Sequence, residues 1–84
     1  MIVEFDQSFL KSLSNLRDPK ILSRLENTIT DLEKIDSLQE ASNLRKLTGF
    51  KDYYRIRLGD YRLGFELIDS KIIRVIVFAH RKDI

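Results

Sequence analysis

Arg55, Arg57 and Arg62 are the residues with the clearest chemistry in this chain, because guanidinium groups grip phosphate oxygens two at a time and stay charged at any cellular pH. They sit in the run Tyr53-Tyr-Arg-Ile-Arg-Leu-Gly-Asp-Tyr-Arg-Leu-Gly-Phe65. Leu58 and Tyr61 flank Gly59-Asp60, and a glycine opening a two-residue turn between alternating segments predicts a tight β-hairpin. Counting outward pairs Leu58 with Tyr61, Arg57 with Arg62, Ile56 with Leu63, Arg55 with Gly64 and Tyr54 with Phe65. Alternation then sends Tyr54, Ile56, Leu58, Tyr61, Leu63 and Phe65 to one face and the three arginines to the other. Like charges directly opposed on paired strands are destabilising. A solvated strand face is the plain reading of such arginines; the opposition of Arg57 and Arg62 favours a site for a polyanion, with a gap at Gly64 for a ligand backbone.

The remaining composition narrows the chemistry. There is no cysteine, which excludes disulfides, thiolate nucleophiles and cysteine zinc sites and suits a reducing cytoplasm. A single histidine, His80, and no calcium-loop pattern predict no metal and no cofactor. The longest apolar run, Val75 to Ala79, is far short of the ~20 residues of a membrane span, and no signal peptide is visible. With 84 residues the chain reads as one domain, 1–84. Net charge is only +2, yet residues 1–42 hold five Lys/Arg against eight Asp/Glu, while residues 43–84 hold ten against five. The basic excess coincides with the arginine ribbon, and nucleic acid is the commonest polyanion to use it.

Other elements must hold that ribbon. Met1 to Phe5 reads as a short strand, and Asp6 as the cap of a helix with Phe9, Leu10, Leu13 and Leu16 on one stripe. Asp18-Pro19 starts a second helix, whose stripe is Ile21, Leu22, Leu25, Ile29 and Leu32. This helix hairpin is expected to cover the apolar face of the ribbon, leaving the arginines open. Residues 36–43 read as loop or short irregular helix, and 44–50 as the next strand. A turn at Asp69-Ser70 leads into a central strand over 72–79. A two-residue turn there pairs Arg62 with Val77, placing Val75, Val77, Ala79 and Arg81 on the arginine face and Arg74 toward the helices, where a charge is unwelcome; a longer loop shifts the pairing by one. The predicted class is α+β: an N-terminal strand and two-helix hairpin on one face of a small, mainly antiparallel sheet.

Arg45-Lys46-Leu47, the Tyr53 to Leu58 run, Asp60-Tyr-Arg-Leu63 and Phe78-Ala-His-Arg-Lys-Asp-Ile84, in this order, resemble the RelE branch of the RelE/ParE toxin superfamily. The resemblance spans the whole chain. It implies the toxin of a bacterial type II toxin–antitoxin pair, a ribosome-dependent endoribonuclease that cuts mRNA in the A site and stops translation. The implied partners are a RelB-like antitoxin, the ribosome with its mRNA and, through the antitoxin complex alone, operator DNA. In that family a nucleotide's 2′-hydroxyl attacks its own 3′ phosphodiester. Arg62 falls on the family's phosphate-stabilising arginine and Arg81 on the arginine that supports the leaving 5′-oxygen. Arg55 and Arg57 fall on positions occupied by lysine in the best-known member. Arginine is a poor general base, so they read as phosphate clamps, beside Arg45, Lys46 and Lys82 as further RNA contacts.

His80 is the remaining candidate for proton transfer, because histidine titrates near neutrality, although alternation points it away from Arg81 and a histidine at a strand end is more often structural. Family members commonly continue with a tyrosine that completes the site, whereas this sequence stops at Ile84, so weakened cleavage is expected. Two rival functions remain open: the ParE branch poisons DNA gyrase, and a non-catalytic module would serve only the antitoxin–operator complex.

Overall fold

The structure, a computed structural model, describes residues 1–47, 49 and 52–83. Strand β1 (Ile2–Phe5) leads through Asp6 into helix α1 (Gln7–Ser12), and helix α2 (Pro19–Lys34) follows. A 3-10 turn at Leu38–Glu40 precedes β2 (Leu44–Lys46), β3 (Tyr53–Leu58), β4 (Tyr61–Asp69) and β5 (Ile72–His80), with a last 3-10 turn at Arg81–Asp83. Both helices start where the sequence places their caps. The carboxylate of Asp6 accepts from the Ser8 amide at 3.0 Å, and that of Asp18 accepts from the Lys20 amide at 2.9 Å ahead of Pro19. The α-amino group of Met1 donates to the carbonyls of Leu32, Glu33 and Ile35 at the C-terminal end of α2. There a positive charge meets the negative end of the helix dipole.

The five strands form one sheet in the order β1-β5-β4-β3-β2, antiparallel except that β1 runs parallel to β5. This is the expected α+β architecture. The helices cover one face, and Phe9, Leu25, Leu32, Ile56, Leu58, Leu63, Phe65, Ile73, Val75 and Phe78 are buried between the layers. Tyr54 stacks on Phe65 and Tyr61 on Phe78, with ring centroids 5.9 and 5.2 Å apart, adding oriented aromatic contacts along the same face. Leu10 leaves the expected stripe and is exposed, because α1 ends at Ser12 rather than running on to Leu16.

The β3–β4 register is the one predicted, with all five pairs from Leu58–Tyr61 to Tyr54–Phe65 in place. The β4–β5 register is not. The turn pairs Asp69 with Ile72, and a bulge at Gly64/Phe65 opposes Val77 and then Val75, leaving Ile76 unpaired. Arg62 therefore faces Ala79 instead of Val77, and Val75 returns to the core. Arg74 goes to the outer face, opposite Glu66 on one side and Glu4 on the other, with its Nη2 3.4 Å from Glu4 Oε1. One extra residue reverses which way the side chains point. Helix α1 takes up the backbone groups where β1 has ended: the Ser8 hydroxyl shares its one proton between the Ile76 carbonyl at 2.7 Å and Asp6 Oδ2 at 2.6 Å, and the Phe78 amide donates to Ser12 Oγ at 3.1 Å.

Candidate functional site, an arginine face at the hairpin tip

The outer face of the sheet divides into two ends. Toward β1, Glu4, Arg74 and Glu66 alternate in sign across adjacent strands. Toward the β3–β4 turn no such balance exists. Arg45 lies opposite Arg55, Arg55 opposite Gly64, and Gly64 opposite Val77; one step along, Arg57 lies opposite Arg62 and Arg62 opposite Ala79. The small residues Gly64 and Ala79 leave room over which the long arginines can lie. Asn43, Leu44, Arg45, Arg55, Arg57 and Arg62 line an open groove of about 270 Å³. Asn43 opens β2 with φ of 59°, a conformation asparagine tolerates, and its carbonyl accepts from the Arg57 amide at 3.3 Å. The sequence reading passed over Asn43, although its spacing of two from Arg45 is the strand period that shares a face.

Arg62 is the most constrained cation in the cluster. Its Nη1 donates to the carbonyls of Gly59 and Tyr61, each at 2.9 Å, so both Nη1 protons are engaged by the turn itself. Nε and Nη2 remain to meet a ligand. The guanidinium is held below the usual arginine range, first by partial desolvation and then by the positive charges of Arg57, Arg55 and Arg81, with Asp60 acting in the opposite sense. The free protein thus holds repelling cations together around a half-buried Arg62, an arrangement that a phosphate anion would relieve.

Arg81 reaches this cluster through its backbone and side chain together. Its amide donates to the Asp60 carbonyl at 2.7 Å, extending the β5 pairing past His80, and its Nε lies 4.0 Å from Asp60 Oδ1. Asp60, read from sequence only as a turn residue, therefore also steers Arg81. His80 takes a different position. It pairs with Tyr61, its ring meets the Tyr61 ring edge-on at 5.4 Å, and its Nδ1 accepts from the Lys82 amide at 3.3 Å. That is the helix side of the sheet, opposite the arginines. Lys46 pairs with Tyr54 and so also falls on that side by alternation, while Lys82 is exposed in the last 3-10 turn. The structure brings together Arg45, Arg55, Arg57, Arg62 and Arg81, and leaves Lys46 and His80 on the other face. Phe50 and Ile84, with the expected strand end and tail at those positions, lie outside the described residues.

Among the described residues no cluster of His, Cys, Asp and Glu could hold a metal ion, and no helix is long and apolar enough to cross a membrane. What the site can do is bind and neutralise phosphate.

The family model of the ParE toxin of type II toxin-antitoxin systems, parDE, matches residues 3–84. The Toxin RelE3 of Methanocaldococcus jannaschii is 36% identical over 87 aligned residues, covering 100% of this chain and 94% of that protein. Among solved structures, the RelB-RelE antitoxin-toxin complex from Methanococcus jannaschii superposes with a TM-score of 0.82 at 30% identity, covering 95% of this chain and 92% of the other. The intact E. coli RelBE toxin-antitoxin complex gives a TM-score of 0.64 at 28% identity, with 94% and 99% covered.

Proposed function

From a chain that belongs to the RelE/ParE superfamily of type II toxin–antitoxin toxins, and is RelE-like within it, we propose a ribosome-dependent endoribonuclease that cuts mRNA in the A site. The observation that carries the reading is the five-arginine face with Arg62 held by its own turn.

In the proposed reaction a nucleotide's 2′-oxygen attacks the adjacent phosphorus while the bond from phosphorus to the 5′-oxygen breaks. This leaves a 2′,3′-cyclic phosphate and a 5′-hydroxyl end. Arg62 meets the equatorial oxygens with Nε and Nη2, where negative charge grows in the transition state. Arg55 and Arg57 clamp the flanking phosphates, Arg45 extends the clamp on the edge strand, and Arg81 neutralises charge on the leaving 5′-oxygen. The 2′-proton passes to solvent or to a group of the ribosome, and the leaving 5′-oxygen takes up a proton from solvent, since His80 sits on the far face of the sheet against Tyr61. Dependence on the ribosome follows naturally from a site that binds charge but carries no base among these arginines. A cognate RelB-like antitoxin, the partner named in the related complexes, would neutralise the toxin by covering this face or distorting it.

Primer extension on labelled mRNA in programmed ribosomes tests the proposal. Cleavage confined to the A-site codon is expected, and intact mRNA at saturating protein would overturn it. One observation favours a second reading: the matching family model is that of ParE, the gyrase-poisoning branch. A gyrase supercoiling assay run beside the first decides between them.

A further inference from the structure

The arginine groove has an apolar neighbour that the proposed reaction does not use. On the same outer face, Leu47, Tyr53, Ile76 and Val77 wall a pocket of about 160 Å³ with Gly64 as its floor, and its lining is almost entirely apolar. Arg55 lines both this pocket and the groove of about 270 Å³, so the two open side by side.

Three strands and a bulge build the pocket. The Leu47 amide donates to the Tyr53 carbonyl at 2.9 Å, carrying the β2–β3 pairing past Lys46, and alternation from the Arg45–Arg55 pair puts both residues on the outer face. Gly64, buried and without a side chain, lies between Arg55 and Val77 in the ladder. The bulge opposite Gly64/Phe65 then adds Ile76 to Val77 at the same place. A bulge gives up a ladder pair and re-aims a side chain, often beside a functional site. Here it holds two aliphatic side chains half-buried next to the cations, although the core that would bury them fully lies on the other face. As with Arg57 opposite Arg62, the free protein gains nothing from this placement.

We propose that the pocket takes a nucleobase of the mRNA, that of a nucleotide flanking the cleaved bond, while Arg55 holds the adjoining phosphate. The inference rests on the nuclease reading above and deepens it. A nucleotide is an anion joined to a flat, uncharged ring, and the cationic groove and apolar pocket, sharing Arg55, repeat that division. A volume of 160 Å³ is well below the ~300 Å³ at which sites for drug-sized ligands begin, which suits a single ring system. Tyr53 supplies an aromatic wall, and a guanidinium plane such as that of Arg55 also stacks on bases. Because the lining has almost no donors or acceptors, stacking holds the base and its edge is not read. The selectivity that follows is modest, favouring purines for their larger stacking surface.

The test uses the parent chain, Gly64→Ala, which raises the floor by a methyl group, and Val77→Phe, which fills the pocket from β5. Single-turnover cleavage is followed on ribosomes programmed with mRNA that is intact or lacks one base at each A-site position in turn. In the parent, removing the base at one position beside the cut is expected to lower the rate about fivefold to a hundredfold. A purine at that position should be cut faster than a pyrimidine. Each variant should cut intact mRNA at about the rate at which the parent cuts the abasic one, and base removal there should change its own rate by less than about twofold. Equal parental rates with and without each base would overturn the proposal and leave the pocket to an apolar side chain of a protein partner. So would the same loss on base removal in the parent and both variants, since the base would then be held elsewhere. Should the parent bind programmed ribosomes but cut none of these mRNAs, the nuclease reading fails by itself. Affinity for intact against abasic complexes then decides the pocket, with the same preference expected and equal affinities overturning it.

Discussion

Arg62 illustrates how a short turn can prepare a cation for its task. Because the Gly59 and Tyr61 carbonyls both accept from Nη1, the turn sets the plane of the guanidinium, and in the proposed reaction little reorganisation would be left to it. Arg62→Ala should lower ribosome-dependent cleavage by about a hundredfold or more while melting at or above the parental temperature, since three neighbouring cations lose a repelling partner. A variant melting well below the parent would show that the two carbonyl bonds hold the hairpin rather than the site. Arg57→Gln should melt no lower than the parent and reduce the salt slope of ribosome binding by about 0.7 to 0.9, one phosphate contact. His80→Gln provides the contrast. With its ring against Tyr61 and its Nδ1 engaged by Lys82, His80 supports the end of β5, so the variant should keep its cleavage rate within a few fold. A drop of a hundredfold at constant stability would restore it as the proton carrier.

Among the elements, the short α1 depends on its cap. The Asp6 carboxyl is held below the usual carboxylate range, first by the hydrogen bonds from the Ser8 side chain and amide, which outweigh the opposing desolvation, with the charge of Arg74 a lesser contribution in the same sense. A carboxyl whose folded pKa is depressed contributes stability above its unfolded value near ~3.9, and that contribution is lost as pH falls through the folded value. Asp6→Asn keeps an acceptor for the Ser8 amide but has no proton to gain. Its melting temperature should therefore fall less steeply below about pH 4 than the parent's, and parallel curves would place the acid sensitivity elsewhere. The β3–β4 turn has a steric counterpart: Gly59→Ala combines a left-handed φ with a close approach to Arg24 Nη1. It should cost about 1 to 2 kcal/mol in chemical denaturation.

At the scale of the whole molecule, the arginine cluster and the buried core lie on opposite faces of one sheet. The helix side contains the buried core, and the outer face near the hairpin tip contains cations that repel each other. A domain of 84 residues has roughly 4 to 13 kcal/mol of net stability to oppose that repulsion. Leu63, fully buried in the strand that also carries Arg62, is where the two meet. Leu63→Ala should cost about 2 to 5 kcal/mol, enough to populate unfolded chains measurably in urea titration. A loss below 1 kcal/mol would mean that the layer of helices collapses easily onto the sheet.

Local chemistry was legible because its causes are local. A glycine that opens a two-residue turn sets the pairing of its own two strands, so Arg57 opposite Arg62 and Arg55 opposite Gly64 follow from counting. Caps at Asp6 and Asp18 announce themselves by residue type, and four motifs in order resemble the toxin family in sequence alone. What lay beyond the sequence was everything that depends on a bulge or on a distant partner. Ile76 drops out of the β4–β5 ladder because Gly64 lacks a side chain there and because Ser8, more than sixty residues earlier, accepts the role of partner for its carbonyl. That single residue sends Val75 into the core and Arg74 out to Glu4. The same holds for Arg24, whose Nη1 comes within 3.0 Å of where a Cβ on Gly59 would stand. Alternation and turn chemistry are properties of neighbours in sequence, whereas the phase of β5 and the approach of α2 to the turn are decided only when the two layers pack.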